Sequence, residues 1–168
     1  MTEKFSTYYA TPLGMLKISG SAFHINEVLF WDKPGNTIPD NEQGGSLPAV
    51  ISQCVTELNE YFNGVRRVFE VPVKQEGTAF QKRVWDELLL VDYGKTMSYL
   101  ELAKRLGDVK VIRAAASTNG KNQIAVIVPC HRIIGSNKDL VGYSGGLSKK
   151  RWLLEHEARI AYGIQTLF

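Results

Sequence analysis

Pro129-Cys130-His131-Arg132 holds the only adjacent thiol and imidazole in this 168-residue chain. A thiol attacks as its thiolate, and an unperturbed cysteine, with a pKa of about 8.5, is mostly protonated at neutral pH. A neighbouring imidazole supplies the base that raises the thiolate fraction. The pair follows an apolar, β-branched run, Ile124–Val128, which is expected to form a buried strand. Adjacent side chains on a strand point to opposite faces, so His131 would need a bridging water, or a kink imposed by Pro129, to act on Cys130. Cys-His alone fits a buried cysteine beside a structural histidine equally well.

A carboxylate further along the chain bears on that choice. A last helix is expected to open at Leu147-Ser148-Lys149-Lys150 and to run to about Ile160. Arg151, Glu155 and Arg159 share its solvated face at four-residue spacing, while Trp152, Leu153, His156 and Ile160 mark the buried side. Glu157 falls between Leu153 and Leu154 on the helical wheel, towards the apolar side, where a carboxylate is costly unless hydrogen-bonded or paired. His131 is a fitting partner, because a carboxylate fixes its tautomer and raises its basicity. An arginine is the other partner open to Glu157. Between run and helix, Gly142-Tyr143-Ser144-Gly145-Gly146 is a glycine-rich loop that could wall a pocket or serve simply as a turn.

The elements that must position these groups begin at Thr78, which with Gln81 forms a capping-box pattern ahead of Phe80, Val84, Trp85, Leu88 and Leu89. Ser98-Tyr99-Leu100-Glu101 repeats the start signal. Tyr99, Leu102, Ala103 and Leu106 then recur at helical spacing and Gly107 ends the run. After a short turn at Asp108-Val109-Lys110, a second helix is expected from Ile112 to Asn119-Gly120. Two short helices about a glycine-containing turn make a helix-turn-helix pattern, which many helical hairpins share. The second helix is alanine-rich, so its surface could approach a sugar-phosphate backbone. Arg113 in its first turn could reach into a groove or stand as a solvated charge.

The first half carries no recognisable chemistry and reads as structural. Thr7–Trp31 is expected to form a meander of strands over Tyr8-Tyr9-Ala10, Met15–Ser19 and Asn26–Trp31, turning at Pro12-Leu13-Gly14 and at Gly20. Asp32–Ser46 is polar and rich in glycine and proline, hence a loop. A helix starts near Pro48 and carries Val50, Ile51, Cys54, Val55, Leu58 and Phe62 in one stripe, ending at Asn63-Gly64. Cys54 lies in that stripe and reads as a small buried hydrophobe. A short extended stretch, Val68–Val73, leads to a boundary at Gln75-Glu76-Gly77, giving domains 1–75 and 76–168.

A net charge of +3 permits nucleic-acid binding without arguing for it. Two unlike cysteines make no disulfide framework, which suits a reducing compartment. No signal-peptide pattern or membrane-length apolar run is present, so a soluble chain is expected, cytoplasmic or, in a eukaryote, nuclear.

Together these residues resemble the O6-alkylguanine-DNA alkyltransferases, also called methylated-DNA–protein-cysteine methyltransferases. The resemblance is densest from Thr78 to Glu157, through FQKRVW (80–85), YGKTMSYLELAKRLG (93–107), IR-A (112–114), NGKN (119–122), VPCHRIIG (128–135), GYSGG (142–146) and WLLEHE (152–157). It continues more loosely upstream through LNEYFNGVRRVF (58–69). It implies an α+β fold, in which an N-terminal ribonuclease-H-like αβ roll precedes a mostly helical winged-helix-like domain that binds duplex DNA. It implies DNA repair by irreversible, single-turnover alkyl transfer from O6-alkylguanine, with O4-alkylthymine left open as a second lesion. Cys130 would be the acceptor, His131 a water-mediated base, Glu157 its orienting carboxylate and Asn122 the support of the active-site turn. Arg113, with Ala114 beside it, would fill the gap left by the flipped nucleotide. Tyr99 would assist flipping and bond the guanine, Tyr143 and Ser144 would line the pocket with Ser144 near O6, and the Cys130 and Ile133 carbonyls would meet the amino group.

The resemblance implies no cofactor and a monomer that does not engage membranes; the metal ligands some members use do not assemble from Cys54 and three histidines, so no zinc is expected. Two positions depart from the family pattern. Ala114-Ala115-Ala116 replaces the usual Ala-Val-Gly, which bears on how closely that helix meets DNA, and Asn122-Gln123 replaces Asn-Pro, which bears on the local turn. A non-enzymatic lesion binder of the alkyltransferase-like group would lack the acceptor cysteine, whereas Cys130 is present. A winged-helix regulator would have no need of Glu157, and a Cys–His hydrolase would turn over repeatedly.

Overall fold

In the computed structural model, residues 3–38 and 46–163 are described. The first three strands are β1 (Phe5–Thr11), β2 (Gly14–Gly20) and β3 (Ile25–Phe30), with alternation clearest where Leu16 and Ile18 of β2, and Val28 and Phe30 of β3, are buried about a half-exposed neighbour. They form one antiparallel meander in the order β1-β2-β3, with Thr11 opposite Gly14 at the first hairpin and a bulge at Ser19/Gly20. Leu16, Ile18, Ile25 and Val28 are fully buried, and helix α1 (Ala49–Phe62) packs on the sheet through Val50, Ile51, Cys54 and Leu58. Pro48 is the residue before that helix, at φ −54°. Residues 32–38 and 46 of the expected Asp32–Ser46 loop lie in neither strand nor helix, and residues 39–45 fall outside the described residues.

Val68–Val73 is not a strand. Only Val73 bridges, in parallel, to Ile25. Buried Glu57 of α1 takes the place of a ladder partner, its Oε1 accepting from the amides of Glu70 at 2.9 Å and Val71 at 3.1 Å. Backbone donors satisfied by a side chain leave the segment free to follow an irregular path.

The second group of elements is α2 (Ala79–Leu88), β4 (Met97–Ser98), α3 (Tyr99–Arg105), α4 (Ile112–Gly120), β5 (Ile133–Ile134) and α5 (Leu147–Tyr162). Thr78 and Gln81 form the full capping box of α2, and the Ser98 hydroxyl accepts from the Glu101 amide at the start of α3. A 3-10 turn, Val109–Val111, capped by Asp108, links α3 to α4. The indole of Trp85 ties α2 to α4 by donating to the Thr118 carbonyl.

Ile124–Val128 departs from expectation. All five residues are buried, yet only Ile124 bridges, to Val28, and the chain then turns through Ala125–Val128 with Val126 at φ +70°. An apolar run of five surrounded on all sides reads alike as strand or buried turn, because periodicity has nothing to alternate against.

The chain divides into two units, one of residues 1–75 with Gln123–Ala125, the other of residues 76–122 with 126–168. The fold is α+β: a small sheet under one helix in the first unit, mostly helices in the second. No helix among the described residues is long and apolar enough to cross a membrane.

Candidate active site

The Pro-Cys-His segment is a 3-10 turn, Cys130–Arg132, not the end of a strand. This removes the difficulty of opposite-facing neighbours, because consecutive side chains on a 3-10 turn fan out around its axis. Behind it, β5 pairs in parallel with β4, matching Met97 to Ile133 and Ser98 to Ile134, and so places the start of α3 and Tyr99 alongside the turn.

Cys130, His131 and Glu157 are all buried, at 4%, 0% and 1% exposure. The Asn122 amide donates to the Cys130 sulfur at 3.1 Å and to the Val128 carbonyl at 2.9 Å, which holds the turn closed and gives the sulfur a donor. Asn119 Nδ2, from the end of α4, reaches the Cys130 carbonyl at 3.4 Å. Burial pushes the Cys130 thiol up, against the Asn122 hydrogen bond and the positive charge of Lys150. The resting sulfur is therefore a protonated thiol that needs a base.

His131 Nε2 lies 2.8 Å from Glu157 Oε2. Burial lowers the imidazole below its ordinary range, and Arg132 and Lys150 add to it against the opposing pull of Glu157, so the ring is neutral. Burial would raise Glu157, but His131 and Arg132 carry it far below the usual carboxylate range. An ionised carboxylate only accepts, so Nε2 bears the proton. Nδ1 is then the nitrogen with the lone pair, and it is buried with no hydrogen-bond partner from the protein. Arg132 grips the same carboxylate, with Nε 2.8 Å from Oε1 and Nη2 3.0 Å from Oε2, while its Nη1 donates to the Val91 carbonyl at 2.7 Å. Glu157 thus meets both partners that its place on the helix left open.

Tyr99 donates to the Val141 carbonyl at 3.3 Å. Tyr143 is close enough to Cys130 and Glu157 for both to add to the burial that holds its phenol well above the ordinary value. Ser144 is exposed in the turn closed by the Gly146 amide and the Tyr143 carbonyl. Arg113 and Ala114 stand exposed in the first turn of α4, whereas the last turn of that helix delivers Asn119 to Cys130.

Three residues of the cluster, Asn119, Arg132 and Lys150, are absent from those expected from the sequence, and Arg132 figures there only within the Pro-Cys-His-Arg motif. Asn119 reads there only as a helix stop. Lys150 reads only as part of the helix start, yet it is fully buried and donates to the carbonyls of Ile133 at 2.5 Å, Val141 at 2.8 Å and Gly142 at 3.4 Å. Burial lowers its ammonium to about 8. Its signal was available, since it lies three, four and seven residues before Leu153, Leu154 and Glu157, on the same face.

Fold and cluster define an α+β protein of two units, the second burying a thiol beside a histidine–carboxylate pair. Family models described as the ribonuclease-like domain and the DNA binding domain of 6-O-methylguanine DNA methyltransferase match residues 4–75 and 79–159. A methylated-DNA–protein-cysteine methyltransferase of Haemophilus influenzae is 39% identical over 94% of this chain and 88% of its own length. The crystal structure of the Mycobacterium tuberculosis O6-methylguanine methyltransferase superposes with a TM-score of 0.82 at 36% identity, covering 96% of this chain and 97% of that one. A crystal structure of the M. tuberculosis protein in complex with DNA gives 0.81 at 38% identity, covering 93% and 94%. This chain belongs to the O6-methylguanine DNA methyltransferase family.

Proposed function

We propose that this protein repairs O6-alkylguanine in duplex DNA by taking the alkyl group onto Cys130, once per molecule. The observation that carries the reading is the buried thiol one residue from a neutral imidazole whose Nε2–H is committed to Glu157 and whose Nδ1 is open. His131 Nδ1 takes the thiol proton through a bridging water, and Glu157 stabilises the imidazolium that forms. The thiolate then displaces guanine at the alkyl carbon. A carbon–sulfur bond forms, the carbon–O6 bond breaks with its electron pair staying on the base, and a returned proton neutralises the guanine. A thioether is not hydrolysed, so the thiol is not regenerated.

A lesion within the stack is out of reach until extruded, at a cost of roughly a few kcal/mol. Arg113, with Ala114 next to it, enters the duplex and fills the gap, and Tyr99 assists flipping and bonds the base. Tyr143 and Ser144 wall the pocket, with Ser144 near O6. The carbonyls of Cys130 and Ile133 receive the guanine amino group; Asn119 and Lys150 already hold those carbonyls in place. Asn122 supports the turn and the sulfur together. On this reading residues 76–168 form the catalytic and DNA-binding domain and residues 1–75 a structural one. The protein acts as a monomer without a cofactor, in the cytoplasm or, in a eukaryotic source, the nucleus.

The test is incubation with duplex DNA carrying O6-methylguanine, followed by intact and peptide mass spectrometry. The expected result is one methyl adduct on the Cys130 peptide, saturating at one per molecule, with none on Cys54 and none in Cys130→Ala. Burial and the nearby Glu57 push the Cys54 thiol up to about 12, which makes it an internal control. Tight lesion binding without an adduct would sink the reading in favour of a recognition protein.

A further inference from the structure

An imidazole 2.8 Å from a buried carboxylate would ordinarily draw a proton and become half of an ion pair. Such a histidine has no lone pair to offer a thiol. Glu157, however, also receives two hydrogen bonds from Arg132, one to each oxygen, at 2.8 and 3.0 Å. The guanidinium is itself held at further points: its third arm is on the Val91 carbonyl, and its central carbon lies 5.6 Å from the centre of the Tyr93 ring.

We infer that Arg132 is a positioning residue of the reaction, whose two-point grip on Glu157 balances the carboxylate charge and thereby keeps His131 neutral and able to act as the base. The cluster of Arg132, Glu157 and a neutral His131 sums to zero charge; protonating the ring would leave a net positive charge almost wholly out of water. Among the described residues, the charged and titratable groups around the ring are Glu157 and Lys150 from α5, Arg132 from its own turn, the neighbouring Cys130 thiol and the Tyr143 phenol of the glycine-rich loop. Arg132 and Lys150 oppose a proton on the ring, and Glu157 alone favours one. The geometry also orders the roles. Arg132 occupies both oxygens, so Glu157 can still accept from Nε2–H and fix the tautomer without pulling a second proton onto the ring.

This inference rests on the alkyl-transfer reading, and its test separates the two. In the full chain without DNA, the titration of His131 is followed by NMR of labelled imidazoles; in parallel, the transfer rate from an O6-methylguanine duplex is measured against pH. Arg132→Gln should raise the His131 midpoint, and with it the acid limb of the rate, by about one pH unit or more. Arg132→Lys keeps the charge and should hold the limb near its wild-type position. A brace of purely mechanical value would lower stability in both variants and leave the His131 midpoint where it was, which overturns the inference. If Arg132→Gln does not fold in buffer, the same titration is run in trimethylamine N-oxide, which strengthens the folded state and leaves Glu157 and His131 in place; a His131 midpoint equal to that of the wild type under those conditions overturns the inference. Absence of transfer by the wild type would remove the proposed function while the NMR comparison still decides the role of Arg132.

Discussion

In the proposed reaction His131 acts as the base only while its ring is neutral, and burial first, against Glu157, sets the pH at which the ring is neutral. Because the folded-state value is lowered, protonation removes the Nδ1 lone pair only below the ordinary histidine range of about 6.5. The transfer rate should therefore stay level from neutral pH down through that range and fall only beneath it. A rate already halved at pH 6.5 would contradict this. The same depression bears on stability. A ring kept neutral in the fold binds a proton more readily when unfolded, so its contribution weakens as pH falls through the unfolded value. Cys130, His131 and Glu157 were legible in the sequence as an adjacent thiol and imidazole and a carboxylate turned towards an apolar face. Lys150 was hidden by its company, since Lys149-Lys150 at a helix start looks solvated, and only the buried carbonyls of Ile133, Val141 and Gly142 explain why this ammonium is inside.

Among the elements, those with local signals were read correctly. The capping box at Thr78 and Gln81, the Ser98 cap and the hairpin at Pro12-Leu13 all rest on contacts within three residues, which the sequence states directly. Ile124–Val128 was misread as a strand because its backbone is satisfied from a distance, by Asn122 on the Val128 carbonyl, and the Glu57 contacts of the Val68–Val73 stretch are equally invisible to local pattern. The two-residue strands β4 and β5 are too short to show any period, although they bring Tyr99 to the turn. The Glu57 anchor makes a prediction at this scale. Glu57→Ala leaves the Glu70 and Val71 amides without that acceptor and should cost about 1–3 kcal/mol in urea unfolding, the penalty of an unsatisfied buried donor. Glu57→Gln, which keeps an acceptor oxygen, should recover part of the loss, and equal loss in both variants would count against the anchor.

For the whole molecule, a net charge of +3 is too small for the chain as a body to be held on DNA by its overall charge. Affinity must come from local phosphate contacts by lysine and arginine, which release counterions. Raising salt from about 50 to 200 mM should thus weaken the apparent affinity for lesion duplex several-fold or more, while the rate at saturating DNA changes little because the chemistry is buried. A saturating rate that falls as steeply as the affinity would show the transfer step itself exposed to solvent ions. The three-residue return of Gln123–Ala125 to the first unit has a consequence for biosynthesis. A chain emerging from the ribosome presents Phe5–Gln75 early, but the hydrogen bonds that the Val28 amide and carbonyl make with Gln123 and Ala125 must wait until that stretch has been translated. The N-terminal half is thus a fold left open at one edge, and it closes only once the stretch just ahead of Cys130 has left the ribosome.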